Sequence, residues 1–173
     1  MIELRDSVVV HASPERVWDW LETLPEHYLQ WHPDHVSARW VTGHGFRPGT
    51  VMEVEEVLHG RRHRLTLTCV DVEPGRSVRY RLFPGLGGAF DVEPVDGATR
   101  FTASLTAGTR APVVGRVLDA LLRTVLRSRF EVLRRHQAEE GVNLKALLEG
   151  STNGEGGSGE GARNASGGGV GSG

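Results

Sequence analysis

Cysteine is almost absent: Cys69 stands alone among 173 residues. No internal disulfide can form, and cysteine-rich zinc folds are excluded. A charge excess is missing as well. Twenty Lys and Arg face 22 Asp and Glu, a formal net charge of −2 with histidine neutral. That balance argues against a general polyanion binder, so no nucleic-acid partner is expected. There is no run of about 18 apolar residues, hence no expected membrane-spanning helix. The first residues, Met1 to Asp6, lack the basic-then-apolar plan of a secretory signal. Together these absences lead to the expectation of a soluble, cytoplasmic protein with one folded domain.

Glycine is distributed unevenly. Residues 150–173 hold 11 of the 23 glycines, no aromatic residue and a single branched aliphatic, Val170. Such a stretch cannot bury enough apolar surface to offset the entropy of ordering it. We expect a disordered Gly/Ser-rich tail over 150–173 and one domain over 1–149, a usual length for a single core.

What is present within 1–149 is a regular succession of short elements. Ile2, Leu4, Val8 and Val10 alternate with outward positions, as in a half-buried strand. Ser13-Pro14-Glu15 is a helix start: serine can cap, proline fits the first turn and glutamate suits its positive end. Val17, Trp18, Leu21 and Leu24 follow at helical spacing, and Pro25 is expected to end that helix. Glu26 to His35 reads as irregular or as a short second helix stopped by Pro33. Strands are expected at 36–41, 49–58, 64–72, 78–83, 89–92 and 100–106, separated by Gly or Pro, a pattern that indicates an antiparallel meander. A long helix is expected from Ala111 to about Leu148, with Pro112 near its start, and Gly141 as a point that loosens or kinks it. The fold class is therefore α+β: a seven-stranded curved antiparallel sheet wrapped around the C-terminal helix, with room for a small ligand between them.

This order, together with Val10-His11-Ala12-Ser13-Pro14-Glu15-Arg16-Val17-Trp18, resembles the START-like, Bet v 1-like superfamily, whose members include polyketide cyclases, lipid carriers and some hydrolases. The resemblance covers essentially residues 1–149. It implies a helix-grip fold and leaves the chemistry to be read from the site.

Eight histidines are present, three of them in His27-Tyr28-Leu29-Gln30-Trp31-His32-Pro33-Asp34-His35. That stretch is either a His-rich surface loop or a source of metal ligands. On the long helix, His136 continues the stripe of Leu118, Val125 and Val132 that should face the sheet, and Glu140 lies one turn further on. An ionised glutamate on a buried stripe is costly unless paired or metal-bound; otherwise the two form an ordinary surface pair near a helix end. In the second strand of the meander, Met52, Val54, Glu56 and Leu58 share one face, while Glu53 and Glu55 look solvated. Glu56 then points toward the cavity, unless a bulge at Glu55-Glu56 turns it outward. Two histidines and two glutamates would suit one divalent ion. Tyr28 is placed either to orient a ring hydroxyl and relay a proton or to pack beside Trp31. Asp34 could hold a histidine ring or cap a turn. Trp18, Trp20, Trp31 and Trp40 read as core or cavity wall. The arginines at 123, 127, 129, 134 and 135 read as a solvated helix face.

The same pieces resemble a narrower group, the zinc-dependent 2,4-diacetylphloroglucinol and phloretin hydrolases, START-like proteins that cleave a carbon–carbon bond between an acyl group and a phenolic ring. The resemblance implies Zn2+ held by His35, Glu56, His136 and Glu140, with Tyr28 against a small aromatic or polyketide-like ligand. The spacing between Pro33 and His35 is one residue shorter than the hydrolase pattern, which leaves His32 as a competing ligand. Two other readings stand beside this one: a non-catalytic carrier or sensor of a small hydrophobic ligand, and a metal-free polyketide cyclase or aromatase.

Overall fold

The computed structural model describes residues 2–58, 60–108 and 127–150. Their chain order is β1 (Ile2–Val10), α1 (Pro14–Glu22), α2 (Leu24–Trp31), β2 (His35–Thr42), β3 (Val51–Leu58), β4 (Arg61–Glu73), β5 (Ser77–Phe83), β6 (Leu86–Val95), β7 (Ala98–Ala107) and α3 (Arg127–Gly150). The seven described strands form one antiparallel sheet in the order β1-β7-β6-β5-β4-β3-β2. The expected α+β helix-grip architecture is therefore present. Expectations for residues 111–126 and for the 151–173 tail fall outside the described residues.

β1 and β2 are consecutive strands that lie at opposite edges of the sheet. The chain crosses between them through α1 and α2. Ser13 caps α1, its hydroxyl accepting from the Arg16 N–H at 3.3 Å. Pro25 does not end α1. Thr23 closes α1 and opens α2, and Pro25 sits in the first turn of α2, where its missing N–H and fixed φ cost nothing. The stretch 26–31 is accordingly helix rather than loop.

α3 packs on β1 and β7 and touches α2. Its buried positions are His136, Gly141, Leu144 and Leu148. The helix runs unbroken through Gly141. Glycine is there for a close approach: a Cβ would stand 3.1 Å from Asp6 Oδ2 and 3.6 Å from Val8. The docking is tied at three points. Lys145 Nζ donates to the Val9 carbonyl at 2.7 Å, the His11 N–H donates to Glu149 at 2.8 Å, and Trp31 Nε1 donates to the Glu140 carbonyl at 2.9 Å.

Val17, Leu21 and Leu24 from the short helices meet Met52, Val78, Val92 and Phe101 from the sheet in one core, which Leu144 and Leu148 close. This core adjoins a cavity on the inner surface of the sheet, and Leu24 and Met52 belong to both.

Candidate functional site

The cavity measures about 660 Å³, within the range of small-molecule sites. Its described wall is mostly apolar: Met52, Val54, Leu65, Leu67, Leu82 and Phe90 from the sheet, and Leu133 from α3. Polarity is confined to a few groups, chiefly Tyr28, Glu56, Tyr80, His136 and Glu140.

The backbone brings these residues together in three steps. β3 alternates as expected: Met52, Val54 and Glu56 are buried, and the intervening Glu53 and Glu55 face outward to Arg39 and Arg64. The pairing of β3 with β4 is continuous through Glu55↔Arg64 and Glu56↔His63, so no bulge turns Glu56 outward. The irregularity lies on the neighbouring strand. Ser37 pairs with Glu55, yet His35 pairs with Glu56, which makes Val36 the extra residue of a bulge. In a regular ladder His35 would follow Ser37 to the solvent face, because side chains alternate. The bulge rotates it inward, opposite Glu56. α3 then supplies His136 and Glu140 one turn apart.

The four side chains converge. His35 Nε2 lies 3.1 Å from Glu140 Oε1, and His136 Nε2 lies 3.5 Å from the same oxygen and 3.7 Å from Glu56 Oε2. His35 and His136 are buried, and Glu56 and Glu140 nearly so. His32 is close as well. One ring nitrogen from each of His32, His35 and His136 lies within 4.8 Å of the others.

Hydrogen bonding separates His32 from His35. The Asp34 N–H donates to His32 Nδ1 at 3.1 Å, so that nitrogen carries no proton. Its Nε2–H donates to Glu139 at 3.0 Å. Both nitrogens of His32 are engaged. In His35 the order is reversed. Nδ1 stands 2.9 Å from the Tyr28 carbonyl, which can only accept, so Nδ1 holds the proton. Nε2 then faces the Glu140 carboxylate as lone pair against lone pair, unless a second proton or a cation sits between them. The Tyr28 ring fixes the imidazole by stacking on it at 3.9 Å with a 2° tilt.

Electrostatics sharpen this arrangement. Burial alone would lower the His136 pKa, but the nearby Glu140 carboxylate, aided by Glu56 and Asp34, overrides it and holds the imidazole above its ordinary value. Burial would raise Glu140; His136 and His35 reverse that and keep it below the usual carboxylate range. Burial dominates at Glu56, which is pushed up, with Glu140 adding to the shift against the pull of His136 and His35. The Tyr28 and Tyr80 hydroxyls are both driven upward, first by burial and then by Glu56 and Glu140, so they stay protonated.

These residues fit a divalent cation. His136 Nε2 is buried and has no hydrogen-bond partner among the described residues. Donor atoms around a tetrahedral ion with bonds of about 2.0–2.2 Å stand about 3.3–3.6 Å apart, and the spacings here are 3.1, 3.5 and 3.7 Å. The His35 ring is also held on its far side, where Nδ1 donates to the Tyr28 carbonyl, as metal-ligating imidazoles commonly are; Asp34 Oδ2 lies 3.9 Å from His136 Nδ1, near enough for charge but not for a hydrogen bond.

Every site residue singled out in the sequence lies in this region. Tyr28, Glu56, His136 and Glu140 line the cavity, and His35 sits behind Tyr28 and Glu140. Tyr80 escaped notice, although the alternation Val78, Tyr80, Leu82 in β5 puts it on the inner face.

A model of the family described as polyketide cyclase / dehydrase and lipid transport matches residues 1–139. Comparison with curated proteins finds no match in sequence. Among solved structures, the Zhui aromatase/cyclase from Streptomyces sp. R1128 superimposes with a TM-score of 0.69 at 19% identity, covering 90% of this chain and 98% of that one. The protein TTHA0849 from Thermus thermophilus gives 0.67 at 19% identity, over 87% and 99%. Ara h 8.0201 gives 0.56 at 15% identity, over 86% and 98%. At these identities the structural likeness shows the fold alone. The matches support the broad Bet v 1-like grouping and lend none to the narrower zinc-hydrolase resemblance. Among the described residues no helix is long and apolar enough to cross a membrane.

Proposed function

The chain belongs to the polyketide cyclase / dehydrase and lipid transport family, and from that premise we propose that it is an enzyme acting on a small phenolic or polyketide-like carbonyl compound held in the cavity, with a divalent metal, zinc by preference, at its polar end. His35, His136, Glu56 and Glu140 would hold the metal. The observation that carries this reading is the pair of imidazole nitrogens, His35 Nε2 and His136 Nε2, converging at 3.1–3.7 Å on buried carboxylate oxygens, with His136 Nε2 making no hydrogen bond among the described residues.

When bound, the metal would supply Lewis-acid polarisation of a carbonyl or acidification of water. The chain's own residues do the remainder. The apolar wall desolvates the ring and aligns its carbonyl with the His–Glu end. Tyr28 holds a proton on its hydroxyl for an oxygen of the ligand, and Tyr28 and Trp31 enclose His35 with their rings. Cleavage between an acyl group and a phenolic ring is the reaction this set would favour, since a phenolic ring can leave as its keto tautomer and be protonated at carbon.

A second reading, a metal-free cyclase or aromatase, has the better support from the family match and from the fold likeness to an aromatase/cyclase. Without metal, two imidazolium–carboxylate pairs would satisfy the same contacts, and Glu56 and Glu140 are pushed in opposite directions. Carboxyl groups with divergent acidities suit acid–base chemistry of the kind a cyclase or aromatase performs. Metal analysis of untagged protein separates the two. About one zinc per chain, lost in both His136→Ala and Glu56→Ala, supports the first. Metal-free protein that turns over a polyketide-like substrate supports the second and removes the first.

A further inference from the structure

The chain contains two tyrosines, and both line the cavity beside Glu56 and Glu140. Neither hydroxyl has a hydrogen-bond partner among the described residues. The rest of the wall near Tyr80 offers carbon: Phe90 lies against its ring at a centroid distance of 5.3 Å, with Leu82 and Leu105 nearby in the lining.

Tyr80 lies over a gap in the inner face of the sheet. Its cross-strand partner on β6 is Gly88. A Cβ on Gly88 would fall 2.4 Å from the Ser104 carbonyl oxygen, 2.5 Å from the Tyr80 hydroxyl oxygen and 2.6 Å from its Cζ. The Ser104 backbone thus already requires glycine at 88, and the Tyr80 ring occupies the space that the missing side chain leaves. A phenol laid over glycine in this way is confined by Gly88 beneath and Phe90 beside it. Its O–H meets no acceptor among the described residues and faces the cavity, so it is left to donate to whatever fills that space.

We infer that Tyr80 is a specificity-determining residue whose hydroxyl donates to an acceptor oxygen of the ligand, so that the cavity selects oxygenated aromatic or polyketide-like molecules over hydrocarbons of the same shape. This rests on the reading of the cavity as a ligand site, and it holds with or without a metal at the His–Glu end. A burial-raised hydroxyl suits the role, since it donates throughout the physiological range.

The probes are 2-acetylnaphthalene, whose ketone oxygen can only accept, and 2-isopropenylnaphthalene, a hydrocarbon of nearly the same shape. Calorimetric titration of the full chain is expected to show the ketone preferred by about three- to tenfold, the value of one hydrogen bond. In Y80F, a change of one oxygen atom, that preference should vanish while hydrocarbon affinity holds. The infrared carbonyl stretch of the bound ketone gives a second readout in the unmodified protein, expected at lower frequency than in hexane and relaxing in Y80F. A parent protein that takes both probes equally, or neither, overturns the proposal. So does Y80F retaining the preference. Preference lost in H136A but kept in Y80F also overturns it and assigns the oxygen to the His–Glu end. Zinc content, measured on the same samples, tests the metal reading separately.

Discussion

Glu55 and Glu56 are neighbours on one strand and meet opposite fates. Glu55 faces outward with Glu53 and joins a ladder with Arg39, Arg62 and Arg64, whose long side chains reach into water. Its carboxyl is held low, chiefly by the hydrogen bond from Arg64. Glu56 faces the cavity, and burial pushes its carboxyl up. The outer cluster has flexible, solvent-screened partners and can rearrange when one is lost. The inner cluster has rigid imidazoles, no water-facing escape and one oxygen, Glu140 Oε1, shared between two rings. Opposite charges on the outer face need only be near each other. On the inner face, each atom needs a defined partner.

That contrast can be broken most directly at the centre. Under the proposed metal-dependent reading, His136→Ala is expected to lower turnover by at least about 100-fold, since removing even groups that support a metal ligand costs 10–100-fold, and to abolish zinc binding. Elemental analysis and single-turnover assays check it; a variant that keeps its metal would show that the imidazole is not a ligand. The paired test is Glu56→Gln against Glu55→Gln. The first should lose metal and activity, and the second neither, with a melting curve that overlays the parent. Equal effects from the two would erase the distinction between the faces.

A smaller effect is expected from pH. In zinc-stripped protein the raised His136 pKa contributes stability that is fully present below the unfolded imidazole value of about 6.5 and is lost as pH rises through the higher folded value. The lowered Glu140 pKa contributes stability present above the unfolded carboxylate value and lost as pH falls through the folded one. Melting temperature should therefore decline from pH 6 to pH 8 in stripped protein, and less so in His136→Asn. Zinc should act in the opposite sense, stabilising more at pH 8 than at pH 6, because its ligands must shed protons. A zinc-induced shift that is larger at pH 6 would contradict metal ligation by these groups.

Trp31→Phe gives a local probe of the frame beneath the site. It removes the 2.9 Å bond to the Glu140 carbonyl and part of a buried ring, at a cost of about 1–3 kcal/mol. Denaturant unfolding measures that loss, and a decline in metal affinity beside it would show that α2 positions Glu140 through its backbone.

Most of the element plan was legible from periodicity. The alternation in β1 and β3, the Ser-Pro-Glu helix start and the His136–Glu140 spacing depend on local geometry, in which side chains repeat every two or 3.6 residues whatever surrounds them. The same rule separated Glu56 from Glu55. Applied to β5 it would also have put Tyr80 inward, but nothing local marks a strand tyrosine as more than core and the residue was passed over. Pro25 misled because proline breaks one helix and starts another with equal ease. Gly141, flexible in sequence terms, sits within an unbroken helix at the close approach to β1.

The residues thus dictated by themselves which segments are strand or helix, and which face of β3 and of α3 is apolar. Only the assembled sheet decided that Val36 bulges and turns His35 toward Glu56, that Asp34 and Glu139 occupy both nitrogens of His32, and that Gly88 leaves room for the Tyr80 ring. The physical reason is one of range. Periodicity is a property of a segment, whereas strand register, tautomer and free volume are properties of what lies across from it.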